Sequence, residues 1–367
     1  MLMPYEPVQG RLHYILEKYK LEPLGDITIS FCSMANEMFS FDTEQGRFYL
    51  KNCLKNNSPE RLALEIDFSQ HLQTNQMPCP EVVPAASGEN TVCYNGFVFL
   101  MTRAFEGSTP HWNDTLQPWH VSETMRGLGS FHRAAATFPI ERDSDRIKSF
   151  QFDRQLAWLD SLELKLNSAK TKTSIKEALA LLPRLRGVIS EIRPEVENKL
   201  LPNCQVQMIH GDFHCFNLFF KNEKMTGCCD FDFIRRDLVL FDIWWCINSI
   251  IDAFYIPQKW RDKVKDPDFQ PGAEAIQALI NLAVKECITL YRQTAKLSDQ
   301  ELAFLPLMPA LLLLNNMQFF EPDNSDEECA DHVQWLTYLL DGVERHHSQL
   351  RQAIAPLLKT TADAAHD

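Results

Sequence analysis

Residues 208–217 read Met208-Ile209-His210-Gly211-Asp212-Phe213-His214-Cys215-Phe216-Asn217, and Cys229-Asp230-Phe231-Asp232 follows shortly after. An Asp, an Asn and a second Asp in this order suit phosphoryl transfer from a nucleotide. One carboxylate orients the accepting hydroxyl, while an amide oxygen and another carboxylate hold Mg²⁺ on the phosphates. Asp212 and Asn217 lie five residues apart in a stretch too punctuated by His, Gly and Asp for a helix. A loop there can aim both side chains into one cleft. Asp230 comes after a hairpin-like stretch, 219–229, whose turn is Lys221-Asn222-Glu223-Lys224. Such a hairpin returns the chain to its starting point and lets Asp230 face Asn217 across a shared metal. Taken singly, each residue is equally well explained as a turn cap or a loop residue; the ordered set between apolar runs is not.

The elements that must position these groups fall into two styles. Residues 8–20 carry apolar side chains at helical spacing, and strands are predicted at 27–31, 38–42 and 47–54. Thr43-Glu44-Gln45-Gly46 is a hairpin connection between the second and third strands. A helix over 59–74 follows, with Ser58 at its N-cap and Pro59 at its first position. Two further strands are expected at 82–85 and 92–102, the latter broken at Asn95-Gly96. From Pro118 the period becomes helical, with helices predicted at 119–136, 152–166, 175–199, 238–254, 273–295, 301–315 and 330–358. Ser298 with Glu301 has the capping-box spacing that supports the start of the helix over 301–315. Strand-like backbone returns only over 206–220 and 225–233. The expected architecture is α+β and two-lobed: a nucleotide-binding lobe over 1–102, a connector over 103–110 and a helical lobe over 111–367.

Bulk composition narrows the classes. A chain of 367 residues exceeds what one small core needs. Its formal net charge of −13 argues against a general nucleic-acid binder, which requires basic surface. The N-terminus lacks a basic region followed by an apolar stretch, and the apolar run over 304–314 is short and carries two prolines. Eleven scattered cysteines without a repeated spacing fit reduced thiols in a cytoplasm. The expectation is a cytoplasmic enzyme with no membrane and no nucleic-acid partner.

The segment 210–217 resembles the catalytic loop of the aminoglycoside phosphotransferase and choline kinase superfamily, and Asp230-Phe231-Asp232 resembles its second metal-binding motif. The runs Asn217-Leu218-Phe219-Phe220, Thr226-Gly227-Cys228-Cys229-Asp230-Phe231 and Phe241-Asp242-Ile243 are similar to the homoserine kinase type II branch. The resemblance implies a bilobal protein-kinase-like fold, with a small antiparallel sheet and one helix in the first lobe and a mainly helical second lobe. It implies Asp212 as catalytic base, Asn217 and Asp230 as Mg²⁺ ligands, His210 as a loop-shaping residue and Asp242 as a structural tie. Lys51 stands where that superfamily places its nucleotide-phosphate lysine, and Glu65 on the following helix is the ion-pair partner that phosphate-binding lysines need. Taken alone, Lys51 and Glu65 also read as solvated charges. The stretch 100–107, including Met101, resembles the interlobe hinge where backbone groups meet adenine.

One part departs from the protein-kinase pattern. No Gly-x-Gly-x-x-Gly stands between the first two strands; residues 31–37 do, with Ser33 and Asn36 as groups able to cover phosphate. Gly127-Leu128-Gly129 lies in a helical pattern ending in Phe131-His132 and reads as helix packing. No Walker A motif occurs. The alternation His210, Asp212, His214 leaves open a transition-metal hydrolase, in which Asn217 would have no part. A binding-only kinase fold would predict loss of Lys51, Asp212, Asn217 or Asp230, and all four are present.

The function expected is ATP- and Mg²⁺-dependent phosphorylation of a hydroxyl on a small molecule, homoserine-like, choline-like, aminoglycoside-like or another amino alcohol. A Ser/Thr protein kinase of the same fold is the alternative acceptor class. Glu321, Asp323, Asp326, Glu327, Glu328, Trp244 and Trp245 are the acidic and aromatic residues suited to an amine, and each also fits a solvated acid or a core ring.

Overall fold

The computed structural model describes residues 8–32, 36–54, 58–111, 114–168, 173–260 and 272–363. Two compact units separate along the chain. One comprises the residues up to Thr109 together with Asn217–Asp232; the other comprises Pro110–Phe216 and the chain from Phe233 onward.

The first unit opens with α1 (Val8–Tyr19), followed by β1 (Thr28–Cys32), β2 (Asn36–Thr43), β3 (Gly46–Cys53), α2 (Pro59–Thr74), β4 (Thr91–Tyr94) and β5 (Phe97–Arg103). The five strands form one antiparallel sheet in the order β1-β2-β3-β5-β4. Strand alternation sorts the side chains by face. Phe39, Phe41, Phe48, Leu50, Phe99 and Met101 pack with Leu12, Ile15, Leu16 and Tyr19 of α1 on one side. On the other, Cys53 and Leu100 meet Leu62 and Ile66 of α2. Lys51 falls on this second face, so its side chain is carried toward α2 rather than into solvent. The Ser58 hydroxyl caps α2 by accepting the Arg61 N–H at 3.2 Å, and Pro59 fills the first helical position, as the sequence predicts.

The expected strand over 82–85 is reduced to a single bridge between Val82 and Thr102. Pro80 precedes that stretch and Pro84 lies within it, which limits the backbone donors available for a ladder. The expected strand over 92–102 is instead the hairpin β4–β5. Asn95 (φ 49°) and Gly96 (φ 80°) turn it with two left-handed residues, the conformation that suits twisted strands.

The second unit begins with α3 (Pro118–Ala135), α4 (Phe152–Ser168) and α5 (Thr173–Glu195), which ends in a π-helical turn at Val196–Leu200, then β6 (Val206–Ile209). Next come β7 (Leu218–Lys221) and β8 (Lys224–Cys228), a hairpin belonging to the first unit. The chain then returns to the second unit with β9 (Arg235–Leu238), α6 (Val239–Ile250), α7 (Ile256–Trp260), α8 (Ala273–Tyr291), α9 (Asp299–Leu302), α10 (Met308–Asn316) and α11 (Asp326–Asp363). The single helix expected over 301–315 is two pieces, α9 and α10, joined by a 3₁₀ turn at Leu305–Leu307; Pro306 cannot donate the hydrogen bond that would continue α9. Strand β9 lies beyond the predicted strands and pairs antiparallel with β6. Its residues Arg235 and Asp237 are fully buried and bonded to each other at 2.8 Å, a polar pair that hides the strand from a hydrophobicity pattern.

Gly129 marks a close approach of α3 to the end of α8. A Cβ there would stand 2.2 Å from Thr294 Oγ1 and 3.0 Å from the Tyr291 carbonyl, which accounts for the glycine in a helical run. The apolar run read as too short for a bilayer belongs to the helical stretch Asp299–Phe319. That stretch and Val239–Trp260 are long and apolar enough to cross a membrane, and both are mostly buried here.

Candidate active site

In the first unit, Lys51 of β3 is buried against two carboxylates. Its Nζ lies 3.1 Å from Glu65 Oε1 on α2 and 2.7 Å from Asp232 Oδ1. Both charges of the Lys51–Glu65 pair are inside the protein, so they are not solvated surface groups. Burial alone would lower the Lys51 pKa, but the fields of Glu65 and Asp232 outweigh it and hold the ammonium well above its usual range. Burial would likewise raise the Asp232 pKa, and Lys51 with Asn36 overrides it, so the carboxyl stays below the usual value. Asn36 Nδ2 donates to Asp232 Oδ2 at 2.5 Å. Arg61 adds a second cation, donating from Nη2 to the backbone carbonyls of Phe231 and Asp232 at 3.2 and 2.6 Å. Asp232 is therefore the site residue that the motif Asp230-Phe231-Asp232 contained and that spacing did not single out. Its signal was the repeated acid two residues on, which a loop can aim elsewhere.

The β7–β8 hairpin closes as expected. Asn222 (φ 50°) and Glu223 (φ 60°) turn it, Leu218 pairs with Cys228, and the Cys229 N–H donates to the Asn217 carbonyl at 3.0 Å. This pairing sets Asn217 beside the Cys229–Asp230 backbone. Asp230 itself has φ 64°, a left-handed conformation that non-glycine residues hold only where the surroundings impose it. Asn217 and Asp230 supply oxygen donors only, a set that suits a hard cation completing its shell with phosphate oxygens and water. No group of three or more His, Cys, Asp or Glu side chains able to hold a metal occurs among the described residues.

Of the remaining nucleotide-site expectations, Met101 is a core residue; its side chain is fully buried and its carbonyl accepts the Val83 N–H at 2.9 Å. Ser33 lies outside the described residues.

In the second unit, Asp212 sits in the turn between β6 and a 3₁₀ turn at Cys215–Asn217. Asp242 of α6 governs this turn. It has no solvent exposure, and its two oxygens accept the backbone N–H groups of His210 (Oδ2, 2.8 Å) and Gly211 (Oδ1, 2.8 Å). His132 Nε2 approaches Oδ2 at 3.2 Å, while Tyr291 Oη lies 2.9 Å from His132 Nδ1. Burial would raise the Asp242 pKa, but His132 and the His210 N–H outweigh it, so the group stays ionised below the usual carboxylate range. His132 was not recognised in the sequence, where it looked like the apolar end of a helix. A histidine on an otherwise apolar helix face was the available signal.

Gly211 has φ +81°, and a Cβ would meet the Phe233 carbonyl at 2.5 Å and Arg235 Nη1 at 2.6 Å. Only glycine fits both constraints. His210 is fully buried, with its ring packed on Phe131 and Phe213. Asp212 remains partly accessible, its side chain 21% exposed. Its Oδ1 accepts the Trp245 Nε1–H at 2.8 Å and lies 3.4 Å from His214 Nε2. The alternation His210, Asp212, His214 does not gather around a common metal position, since the His210 ring is turned into the core and its Nδ1 faces the Asp212 N–H at 3.3 Å. Trp245 is partly exposed at Asp212, whereas Trp244 is buried near His346. Among the residues named for amine recognition, Asp326 and Glu328 serve the start of α11: Glu328 pairs with Ser325 in the manner of a capping box.

Comparison with known proteins bears on the family and the fold. Residues 33–270 match the phosphotransferase enzyme family abbreviated APH. A homoserine kinase of Rhodopseudomonas palustris (strain BisB5) is 23% identical over 293 residues, covering 79% of this chain and 77% of that protein. Among solved structures, amicoumacin kinase hAmiN in complex with AMP-PNP, Ca²⁺ and Ami superposes with a TM-score of 0.62 at 16% identity, covering 93% of this chain and 94% of the other. A microcompartment-associated aminopropanol kinase superposes with a TM-score of 0.58 at 14% identity, covering 94% and 98%. These likenesses establish an α+β kinase-like fold, an antiparallel sheet unit with its helix and a mainly helical remainder.

Proposed function

The chain belongs to the APH phosphotransferase enzyme family, and from that premise we propose that it transfers the γ-phosphoryl group of ATP, with Mg²⁺, to a hydroxyl of a small amino alcohol. The observation that carries this reading is the buried pair of Lys51 on β3 with Glu65 on α2. A lysine fixed by a helix carboxylate is how kinases hold the α- and β-phosphates. In solvent such a pair would be worth little; buried, with Asp232 as a second carboxylate, it holds the ammonium in a fixed place.

Asp212 is assigned as the residue that accepts a hydrogen bond from the acceptor hydroxyl and takes its proton. The new bond joins the acceptor oxygen to the γ-phosphorus as the bond to the β–γ bridging oxygen breaks, leaving ADP. Asn217 and Asp230 are assigned to hold Mg²⁺, which offsets the phosphate charge when bound. Lys51 and Arg61 supply further positive charge in the first unit. The amino-alcohol preference follows from relatives described as homoserine and aminopropanol kinases.

An ATP-consumption screen tests the proposal. L-homoserine, aminopropanols, choline, aminoglycosides and a generic protein substrate are each supplied with ATP, with and without EDTA. Turnover on an amino alcohol, lost with EDTA and in Asp212→Ala, is the expected result. Turnover only on protein would overturn the acceptor class, and unchanged turnover in Asp212→Ala would remove Asp212 from its role.

A further inference from the structure

We propose that Trp245 is a positioning residue for Asp212, setting the orientation of that carboxylate through its indole N–H. The inference rests on the proposed role of Asp212 as the group that takes the acceptor proton.

The geometry begins with α6. Asp242 and Trp245 stand three residues apart on this helix, a spacing that places both on one face. Asp242 grips the backbone of the loop at His210 and Gly211, both at 2.8 Å. Trp245 grips the side chain of Asp212, also at 2.8 Å. One rigid element therefore fixes the loop backbone and the carboxylate that the loop presents. A displacement of α6 would carry both contacts together, so their relative geometry is held constant.

A tryptophan suits this task for chemical reasons. The indole N–H only donates and does not ionise near neutral pH. It can stabilise the carboxylate form of Asp212 without competing for the acceptor's proton. A carboxylate offers about four lone-pair sites, so it can accept the indole N–H and an alcohol O–H together. His214 Nε2, at 3.4 Å from the same oxygen, is beyond good hydrogen-bond range for a charge-assisted bond and leaves Trp245 as the shorter contact.

Two variants remove the N–H, and the benzothienyl one also keeps the bicyclic ring. Trp245 is replaced with Phe and, by site-specific incorporation, with 3-benzothienylalanine, whose sulfur stands where the N–H was. The expected result for both is a kcat lower by about tenfold, equivalent to one hydrogen bond to a charged group, with the KM for ATP unchanged. The acidic limb of the kcat–pH profile should move to higher pH, because a carboxylate deprived of a donor is easier to protonate. A merely structural tryptophan would leave that limb in place, and an unshifted limb in the benzothienyl variant overturns the proposal.

A second measurement needs no turnover. The chain has seven tryptophans, and the Trp245 indole ¹H–¹⁵N resonance is assigned by its loss in Trp245→Phe. It should move with the titration of Asp212 in the wild-type protein and lose that titration in Asp212→Asn. An indole resonance indifferent to Asp212→Asn refutes the contact. Absence of ATP-dependent transfer in the wild-type protein would instead refute the functional reading, with the resonance still reporting on Trp245.

Discussion

Replacing Asp242 with Asn tests whether one buried carboxylate holds the turn that carries Asp212. The amide keeps the shape but offers one acceptor oxygen where the carboxylate offered two. Whichever way it is turned, its NH₂ must face a backbone N–H, either that of His210 or that of Gly211. One orphaned buried N–H costs about 1–3 kcal/mol, and loss of the ionised acceptor weakens the remaining bonds by about 1 kcal/mol more. The expected destabilisation is therefore about 2–4 kcal/mol, read from urea unfolding followed by circular dichroism. Turnover should fall with it, because Asp212 is adjacent to the released backbone.

The pH dependence has a definite sign. Asp242 has a depressed folded-state pKa, so its contribution is present above its unfolded value near ~4 and is lost as pH falls through the lower folded value. The wild-type protein should lose stability on acidification in that window, and Asp242→Asn should lose less. A change in unfolding free energy below about 0.5 kcal/mol, with an unaltered acid slope, would refute the argument, since surface substitutions alone produce changes of that size.

Gly211→Ala should cost at least about 2 kcal/mol and reduce kcat, because the added Cβ meets a carbonyl oxygen at 2.5 Å in a left-handed backbone; thermal denaturation and steady-state kinetics check it, and wild-type behaviour would show that the turn can relax. Lys51→Met should raise the KM for ATP and destabilise the first unit by about 3–5 kcal/mol, since it strands the buried carboxylates of Glu65 and Asp232 without their cation. Nucleotide titration by calorimetry and urea unfolding measure the two effects, and retention of both ATP binding and stability would remove Lys51 from the proposed site.

The groups suited to phosphoryl transfer stand in local order along the chain. Asp212, Asn217 and Asp230 stood out because phosphoryl transfer needs those groups in a fixed sequence, and the Ser58–Pro59 start of α2 and the 221–224 turn followed from backbone rules alone. The family resemblance marked Lys51 and Glu65 as a pair worth weighing, and local rules left them as two charges. They could not decide it, because a charge on a strand is equally at home in water. The tertiary structure decided it by burying both beneath α2 and adding Asp232 as a second carboxylate.

Long-range contacts settled the rest for the same reason. His132 and Trp245 meet Asp242 and Asp212 across separations of 110 and 33 residues, and no periodicity within a segment encodes which distant polar atom a side chain will find. Strand β9 went unread because Arg235 and Asp237, buried and bonded to each other, leave it no apolar pattern. Sequence by itself determined which groups could do the chemistry. Packing determined which atoms hold them ready, since burial and hydrogen-bond partners exist only once distant segments are brought together.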